Sequence, residues 1–309
     1  MSVSSRKWWH NSALLSLILL LVIVSCIPCA PAATPAPSAV GSRAPTLSIT
    51  ILDVGDGDAI LMTTSQGHVA LIDGGPRKTQ VRDVLKERGI SRLALVVNTH
   101  PHADHLTGLP AVLDEFAVNQ VIDSGTVHYS KTYESYLAII GEKGIPLVTP
   151  CDITRFKLGP ARIDVLRPSV YFTSERKDAS PVNDSTPVIE VTYGTFSALL
   201  TGDATAATEL QLVARGWLSP VALLKVAHHG SDTSTAQPFL DVVKPQIAVI
   251  SVGEGSTGLP SDVVLRRLEQ CGATIYRTNL HGSITVNTDG HIWAVTVERQ
   301  PPVDYSNAF

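Results

Sequence analysis

Basic residues are scarce in this chain of 309 residues, in which 17% of the side chains are charged and the formal net charge is −4. From position 47 onward, 21 basic residues stand against 28 acidic ones, which gives a net charge of −7. Proteins that bind nucleic acid through an overall electrostatic field carry the opposite sign. The charge balance therefore argues against tight nonspecific binding of DNA, and leaves only a local basic groove or bound metal ions to hold it.

Long apolar runs are also scarce, and the one from Ala13 to Val24 follows a positively charged start. This run is too short to span a bilayer comfortably, and it has the length of a signal-peptide core. It leads into a sequence that resembles a bacterial lipobox, in which the chain is cut before a cysteine, here Cys26, and the thiol is lipidated. Residues 1–25 are therefore predicted to be a signal peptide of the lipoprotein type.

Two alternatives stand beside this interpretation: a simple secretory signal cut after Ala32, and an anchor that is not cleaved. All three place the folded part outside the cytoplasm, with membrane contact only through the N-terminal lipid or anchor. Residues 26–46 are rich in proline and alanine, which predicts a semi-extended tether. A domain over residues 47–299 follows, with a short C-terminal tail over residues 300–309.

Cysteine is rare, and two of the four cysteines, Cys26 and Cys29, lie at the predicted processing site. Cys151 and Cys271 remain in the domain. An oxidising compartment would permit a disulfide between them, but two separate buried thiols are the expectation.

Strands and helices interleave along the domain, and antiparallel hairpins are predicted at both of its ends. Strands are predicted over residues 93–97 and 221–226, a helix over residues 106–116, and only short strands in the middle region. This order indicates an α/β (α+β) fold in which two mixed sheets pack together with helices outside. The predicted architecture is a four-layered αβ/βα sandwich.

The residues with the clearest chemistry follow the strand at 93–97. His100, His102 and Asp104 lie at every second position, so that in an extended segment their side chains point to one side. His105 comes next, where the chain turns toward a helix, and can face a second ion. Imidazole and carboxylate groups together suit Zn²⁺, and also Mn²⁺ or iron. The segment therefore predicts a metal site.

Three further strands end in residues of the same kind. An apolar strand ends at Asp203, another at the pair His228 and His229, and a third at Asp73 before two glycines. Strand ends on one edge of a sheet are where α/β folds collect ligands. The joint occurrence of these strand ends indicates one shared centre.

In this order, the motifs resemble those of metallo-β-lactamase-fold hydrolases. More narrowly, they resemble the soluble hydrolase domain of ComEC-type DNA-internalisation (competence) proteins. The matching stretches cover most of residues 47–297 in the expected order. They are Leu52–Ala59, Thr99–Gly108, Pro181–Ser185, Leu199–Asp203, Lys225–Ser234 and Tyr276–Thr278.

The resemblance implies two divalent metal ions, Zn²⁺ or Mn²⁺. It assigns the first ion to His100 and His102, the second to Asp104 and His105, and both to a bridging Asp203. His229 is the remaining expected ligand of the second ion, while His228 faces substrate; these two roles could be exchanged.

The wider superfamily has a further histidine before the bridging aspartate, and this chain has Asn183 and Asp184 there instead. ComEC-like domains share that substitution, and Asp184 is the residue expected to act as a weak or direct ligand. If it does not, a single-metal enzyme is the alternative. Asp73 and Asp58 are expected to orient ligand imidazoles or bound water, with turn formation as the alternative for Asp58.

The chain departs from the family pattern at two positions. Asp56 stands where the family usually has glutamine, and Leu259 stands where it commonly has a histidine near the substrate. His281 could compensate, but an exposed loop histidine is expected there. The other histidines are expected to be structural or on the surface; they are His10, His68, His128 and His291.

The resemblance implies an extracytoplasmic phosphodiesterase or nuclease. Its hydroxide would be shared by two metal ions, with Asp104 or Asp203 orienting it and His228 assisting the leaving group. The expected partner is DNA or another phosphodiester, and no protein partner is predicted. The alternative is a hydrolase of the same fold that acts on a β-lactam, a lactone or a cell-wall phosphorylcholine ester. A lipoprotein that binds nucleic acid or glycan without catalysis is a third hypothesis.

Overall fold

The computed structural model describes residues 46–167 and 180–300. The predicted signal peptide, tether and tail therefore lie outside the described residues, apart from Thr46 and Gln300, and their boundaries stay predictions. Within the described ranges, no helix has both the length and the apolar character needed to cross a bilayer.

The first sheet has eight strands, antiparallel on one side and parallel on the other. The parallel part starts where Val69–Ile72 pairs with Leu95–Asn98. In order across the sheet, the strands are β17 (Trp293–Val297), β16 (Ile284–Thr288), β1 (Leu47–Ile51), β2 (Ile60–Thr64), β3 (Val69–Ile72), β5 (Leu95–Asn98), β7 (Val121–Asp123) and β8 (Leu147–Val148).

The second sheet has seven strands, and its four strands from β12 to β15 are parallel. In order, they are β15 (Thr274–Arg277), β14 (Ile247–Ile250), β13 (Leu223–Lys225), β12 (Phe196–Leu200), β11 (Val188–Tyr193), β10 (Ala161–Arg167) and β9 (Asp152–Leu158). Two short strands pair separately: β4 (Arg92–Leu93) and β6 (Ala117–Val118).

Helices of four to twelve residues connect these strands. They are α1 (Gln80–Glu87), α2 (Ala103–Leu106), α3 (Leu109–Glu115), α4 (Lys131–Glu142), α5 (Pro181–Asp184), α6 (Ala206–Ala214), α7 (Gln237–Val243), α8 (Asp262–Gln270) and α9 (Thr278–His281), with a 3₁₀ turn at Ala227–Gly230.

Three apolar cores separate four layers. Side chains alternate along each strand, so that Ala198 and Leu200 of β12 lie in the core between the sheets while Leu199 faces the helices outside. The helices α1, α3 and α4 cover the outer face of the first sheet, and α6, α7 and α8 cover that of the second. The predicted αβ/βα sandwich is confirmed.

Three local predictions were wrong. The helix predicted over residues 106–116 is interrupted at Thr107 and Gly108, because the backbone N–H of Gly108 donates to the carbonyl of Gly75 and not to that of Asp104. The spacing of apolar residues in the sequence cannot reveal such a contact with a distant loop. The middle region holds a hairpin of two seven-residue strands, β9 and β10, in place of short strands. Cys151 and Cys271 are free, as expected, but neither is buried: Cys151 is exposed just before β9, and Cys271 is half-buried.

A buried carboxylate joins α6 to the start of α7. Glu209 accepts hydrogen bonds from the backbone N–H groups of Thr235 (2.7 Å) and Ala236 (2.8 Å). Arg267 of α8 donates to the carbonyl of Thr235 beside it. Burial raises the pKa of Glu209 to about 7, although the two backbone donors and Arg267 favour the charged form.

We expect the stability of the fold to fall as Glu209 ionises. The folded-state pKa is about 7 against an ordinary value of 4.5, so the folded chain holds this proton where the unfolded chain has lost it. Its stabilising effect is complete below the unfolded pKa and is lost as the pH rises through about 7. The full effect is on the order of 3 kcal/mol.

Urea unfolding of wild type and Glu209→Gln, compared between about pH 5 and pH 8, measures this effect. The difference between their free energies of unfolding should change over that range. Glu269→Gln is the matched control, since Glu269 is exposed on α8. Parallel profiles for wild type and Glu209→Gln would contradict the prediction.

Candidate metal centre

Strand ends from both sheets bring the candidate ligands together. His100 and His102 follow β5 of the first sheet, whereas Asp203 and His229 follow β12 and β13 of the second. The strands β3 and β5 are parallel neighbours, as are β12 and β13, so that the residues after them emerge at carboxyl edges. The centre lies where these two edges meet, and α2 lies beside it.

One group of four side chains forms the first half of the centre. Asp104, His105, Asp203 and His229 each offer a ligand atom, and these atoms all lie within 4.8 Å of one another. His105 Nε2 is 3.2 Å from Asp203 Oδ1, and His229 Nε2 is 3.3 Å from Asp104 Oδ2. Three of the four side chains are buried, and Asp104 is the most accessible, with 36% of its side chain exposed.

His100, His102 and Asp203 form the second half. The Nε2 atom of His100 is 3.1 Å from His102 Nδ1 and 3.6 Å from Asp203 Oδ2. Asp203 therefore presents Oδ1 to the first group and Oδ2 to the second. One carboxylate shared in this way is suited to bridge two cations.

Buried polar atoms show that the centre fits a cation. His105 Nε2 and Asp203 Oδ1 have no hydrogen-bond partner among the residues that the structure describes, although they lie close to each other. Unsatisfied buried polar groups are costly, and a cation between the two atoms would satisfy both. Imidazole nitrogens with carboxylate oxygens are a donor set for Zn²⁺ or Mn²⁺.

Hydrogen bonds behind the histidines aim their Nε2 atoms at the centre. His105 Nδ1 donates to Asp73 Oδ2 at 2.8 Å, and His229 Nδ1 donates to the carbonyl oxygen of Ser251 at 2.9 Å. Asp73 is itself held by the backbone N–H and the hydroxyl of Thr99. Such outer partners fix the tautomer and orientation of ligand imidazoles. The geometry places Asp73 directly behind His105, and its role as an orienting group stays a prediction.

Asp58 lies behind Ser251, which contacts His229, and it forms a buried ion pair with Lys225. Sequence reasoning assigned a role to Asp58 but not to Lys225. The carboxylate of Asp58 is 2.8 Å from the ammonium of Lys225, and both side chains are buried. It also accepts a hydrogen bond from the hydroxyl of Ser251, whose carbonyl orients His229. A lysine inside an apolar strand was the available signal for Lys225, because lysine is almost never fully buried unless paired.

Charge sets the protonation of the centre. Burial and the neighbouring His105 hold the pKa of His100 well below its ordinary value, so this imidazole is neutral. Burial would lower the pKa of His105 too, but Asp203 and Asp73 raise it well above its ordinary value. Burial likewise opposes a charged His229, yet Asp104 and Asp203 raise its pKa. The carboxylates around the centre thus favour positive charge at His105 and His229, which is the charge that a bound cation would supply instead.

The histidine pair has an unusual backbone. His228 and His229 lie at φ 49° and 54°, in the left-handed region that costs a non-glycine residue about 1–3 kcal/mol. The backbone N–H of His228 donates to the carbonyl of Gly202, which ties the pair to the loop before Asp203. His229 turns inward, whereas His228 lies outside both described ligand groups with 31% of its side chain exposed.

Asp184 lies near the centre but in neither described ligand group. Its carboxylate accepts a hydrogen bond from the hydroxyl of Thr205, and its backbone carbonyl accepts one from Thr208 at 2.7 Å. Asn183 is also buried, and its amide nitrogen is 3.5 Å from His228 Nε2. The role of Asp184 as a ligand stays a prediction.

Of the two positions that depart from the family pattern, Leu259 lies on the loop between β14 and α8, which passes beside Gly230. Asp56 lies on the loop between β1 and β2 and contacts that loop. Asp56 accepts hydrogen bonds from the backbone N–H of Gly253 and the hydroxyl of Ser256, so that it anchors this loop. Leu259 is half-buried and packs on the outer core of the second sheet. His281 was expected to be exposed, but it is half-buried because its ring hydrogen-bonds to the backbone of Arg277.

Residues 52–254, more than half of the chain, match the family described as "Metallo-beta-lactamase superfamily". The chain belongs to this superfamily. The predicted metal-dependent hydrolase is thereby confirmed, as is the resemblance on which it rested.

Several curated relatives match most of the chain at below 30% identity. The chain is 29% identical over 252 residues to "Recombination protein 2" of Haemophilus influenzae, which covers 79% of this chain and 29% of that protein. It is 27% identical over 282 residues to "ComE operon protein 3" of Bacillus subtilis, a match that covers 84% of this chain and 35% of that protein. It is 29% identical to "Competence protein ComA" of Neisseria gonorrhoeae, a match that covers 77% of this chain and 32% of that protein. The chain spans about a third of the length of these relatives.

Solved structures share the fold at low identity. The metallo-beta-lactamase fold protein YhfI from Bacillus subtilis superposes with a TM-score of 0.53 at 12% identity, covering 80% of this chain and all of that one. CmlA, a diiron beta-hydroxylase from Streptomyces venezuelae, superposes with a TM-score of 0.53 at 16% identity. The match covers 78% of this chain and 54% of that one. At these identities the likeness extends to the fold alone.

Metal binding should release protons, because a cation needs neutral imidazoles whereas the surrounding carboxylates raise the pKa values of His105 and His229. The affinity for Zn²⁺ or Mn²⁺ should therefore rise with pH. Titration calorimetry near pH 7 in buffers of different ionisation enthalpy measures the number of protons released, and we expect net release. His291→Gln, which alters an exposed histidine, should leave that number unchanged. Enthalpies that do not depend on the buffer would refute this expectation.

Removing the ammonium of Lys225 should destabilise the fold, since Asp58 would stay buried without its partner. We expect Lys225→Met to cost about 3–5 kcal/mol in the free energy of unfolding in urea. The double variant with Asp58→Asn should recover part of that loss, because the remaining buried group is uncharged. Lys157→Met, at an exposed position on β9, is the control and should change little. No recovery in the double variant would contradict the role of this pair.

Proposed function

We propose that the protein is a phosphodiesterase or nuclease of the metallo-β-lactamase superfamily. The observation that carries this proposal is the sharing of Asp203 between two groups of ligands, one with His105 and one with His100. Two adjacent cations suit in-line displacement at phosphorus, where attacking and leaving oxygens both need stabilisation. The names of the curated relatives, which refer to recombination and competence, support DNA as the substrate.

Seven side chains are proposed as ligands, and three as orienting groups. When bound, the cations would supply a Lewis acid that lowers the pKa of a water molecule and offsets the charge developing on the phosphoryl group. The ligands are His100, His102, Asp104, His105, Asp184, Asp203 and His229; the orienting groups are Asp58, Asp73 and Asn183.

Two accessible side chains are suited to handle protons. Asp104 is the least buried member of its group, so its carboxylate can orient water or accept a proton from it. His228 is partly exposed and has its Nδ1 atom 3.1 Å from the hydroxyl of Thr233. Its Nε2 atom is 3.7 Å from Asp203 and can donate a hydrogen bond to a leaving oxygen. Asp203 is the alternative carboxylate for orienting the hydroxide.

We propose that the protein acts outside the cytoplasm, tethered through a lipid on Cys26. The apolar run at 13–24 and the lipobox-like sequence before Cys26 support this location. Secretion without a lipid and an uncleaved anchor are the alternatives.

A different substrate is the second candidate. A β-lactam, a lactone or a phosphorylcholine ester would use the same centre, and two observations favour this class. The net charge of −7 from position 47 onward repels a polyanion, and Leu259 gives the loop beside the centre an apolar residue where a histidine is common.

Turnover by the purified full-length chain, loaded with Mn²⁺ or Zn²⁺, separates the candidates. We expect hydrolysis of bis-p-nitrophenyl phosphate and single-stranded DNA, and none of nitrocefin. Asp203→Asn should reduce the rate by at least about a hundredfold, because the shared carboxylate is lost. Asp241→Asn is the matched control, as Asp241 is exposed on α7. Turnover of nitrocefin alone would overturn the phosphodiesterase proposal.

A further inference from the structure

The loop between β7 and α4 places an imidazole beside the candidate metal centre. The ring centroids of His128 and His102 are 6.4 Å apart, with the rings nearly perpendicular. Tyr129 follows, with 94% of its side chain exposed, and Val127 on the other side is 71% exposed. A single exposed apolar residue is ordinary, but an aromatic ring held in solvent next to ligand residues offers a contact surface.

A cleft of about 290 Å³ lies next to this loop. Its lining consists of Lys78 and Lys131, the hydroxyl-bearing Thr107, Thr132 and Ser135, and the apolar Pro110 and Ala111. Thr107 follows α2 directly, two residues after His105, and Lys131 comes two residues after Tyr129. The cleft therefore lies between the end of α2, which carries two of the candidate ligands, and the start of α4.

The two lysines of the cleft are available to a ligand. Both are exposed, and neither forms an ion pair with any residue in the described ranges. Lys86 and Lys143 on the same side of the first sheet are paired instead, with Glu115 and Asp114. Two ammonium groups beside the hydroxyls of Thr132 and Ser135 favour the oxygens of a phosphate, whereas the Thr107 hydroxyl already donates to the carbonyl of Ala103.

We infer that the 127–129 loop and the Lys78–Lys131 cleft form the path of a single-stranded polynucleotide as it leaves the metal centre. Tyr129 stacks on the base next to the scissile phosphate, and the two lysines hold the following phosphates. This inference rests on the proposed function and names the surface that would serve it. It reconciles a net charge of −7 with a polyanionic substrate, because the positive charge is needed only along this path.

The exposed ring of Tyr129 is the reason for assigning a single-stranded polynucleotide to this path. A base can present its face to Tyr129 only when it is unstacked from its neighbours, which a duplex resists. Stacking on an aromatic side chain accepts any base, so the path predicts little sequence preference.

Binding of a fluorescein-labelled, phosphorothioate-linked oligonucleotide to the metal-loaded full-length chain tests the path by anisotropy. Tyr129→Ala should weaken binding about 5-fold to 150-fold, and Tyr129→Phe should retain most of it. The double variant Lys78→Ala, Lys131→Ala should weaken binding and flatten the dependence of log K on log salt by about 1.4. Lys157→Ala is the control, since this exposed lysine lies on β9. Metal content and melting temperature show that each variant is folded.

The outcomes separate the path from the chemistry. If all variants bind like the Lys157→Ala control while wild type cleaves DNA, the path is wrong and the proposed function stands. If wild type binds the strand in this residue-dependent way but cleaves no phosphodiester, the path stands and the proposed function fails. If a duplex binds with the same dependence on Tyr129, the assignment to a single strand is overturned.

Discussion

One carboxylate organises the centre, because its two oxygens face in different directions. Asp203 turns Oδ1 toward His105 and Oδ2 toward His100, at the end of a strand that belongs to the other sheet. Its pKa lies well below the ordinary value, since the surrounding histidines outweigh the effect of burial. The packing of two sheets is thus needed to bring one anion within reach of both histidines, and the fold and the ligand groups depend on each other.

Two further buried acids hold this arrangement from behind. Asp73 is fixed by Thr99 and in turn fixes His105, while Asp58 is paired with Lys225 and positions Ser251. Each acid is costly to bury alone, and each is satisfied by several donors. These two chains of hydrogen bonds end on different groups. The one through Asp73 ends on His105, beside the first sheet. The one through Asp58 ends on Ser251, whose carbonyl orients His229 beside the second sheet. Orientation of the imidazoles is therefore fixed independently on the two sides.

Sequence reasoning found the parts of this centre that are local in the chain. His100, His102 and His105 could be predicted because a strand end and close spacing brought them together, and the superfamily order added Asp203. Lys225, Ser251 and the lining of the cleft were missed, since their partners lie far away in sequence. The break at Gly108 was missed for the same reason, as the backbone N–H of Gly108 donates to the distant carbonyl of Gly75. His128 was dismissed as a structural or surface residue, although it lies beside His102.

The origin of the ligands in two sheets has a mechanical consequence. Asp104 and His105 belong to the first sheet's side of the molecule, and Asp203 and His229 to the second. A cation held by all four would act as a cross-link between the two halves of the sandwich. Its binding free energy would then add to the cohesion of the whole molecule, in proportion to the logarithm of the free metal concentration. The supply of metal in the surroundings would thus govern the lifetime of the protein against proteolysis as well as its turnover.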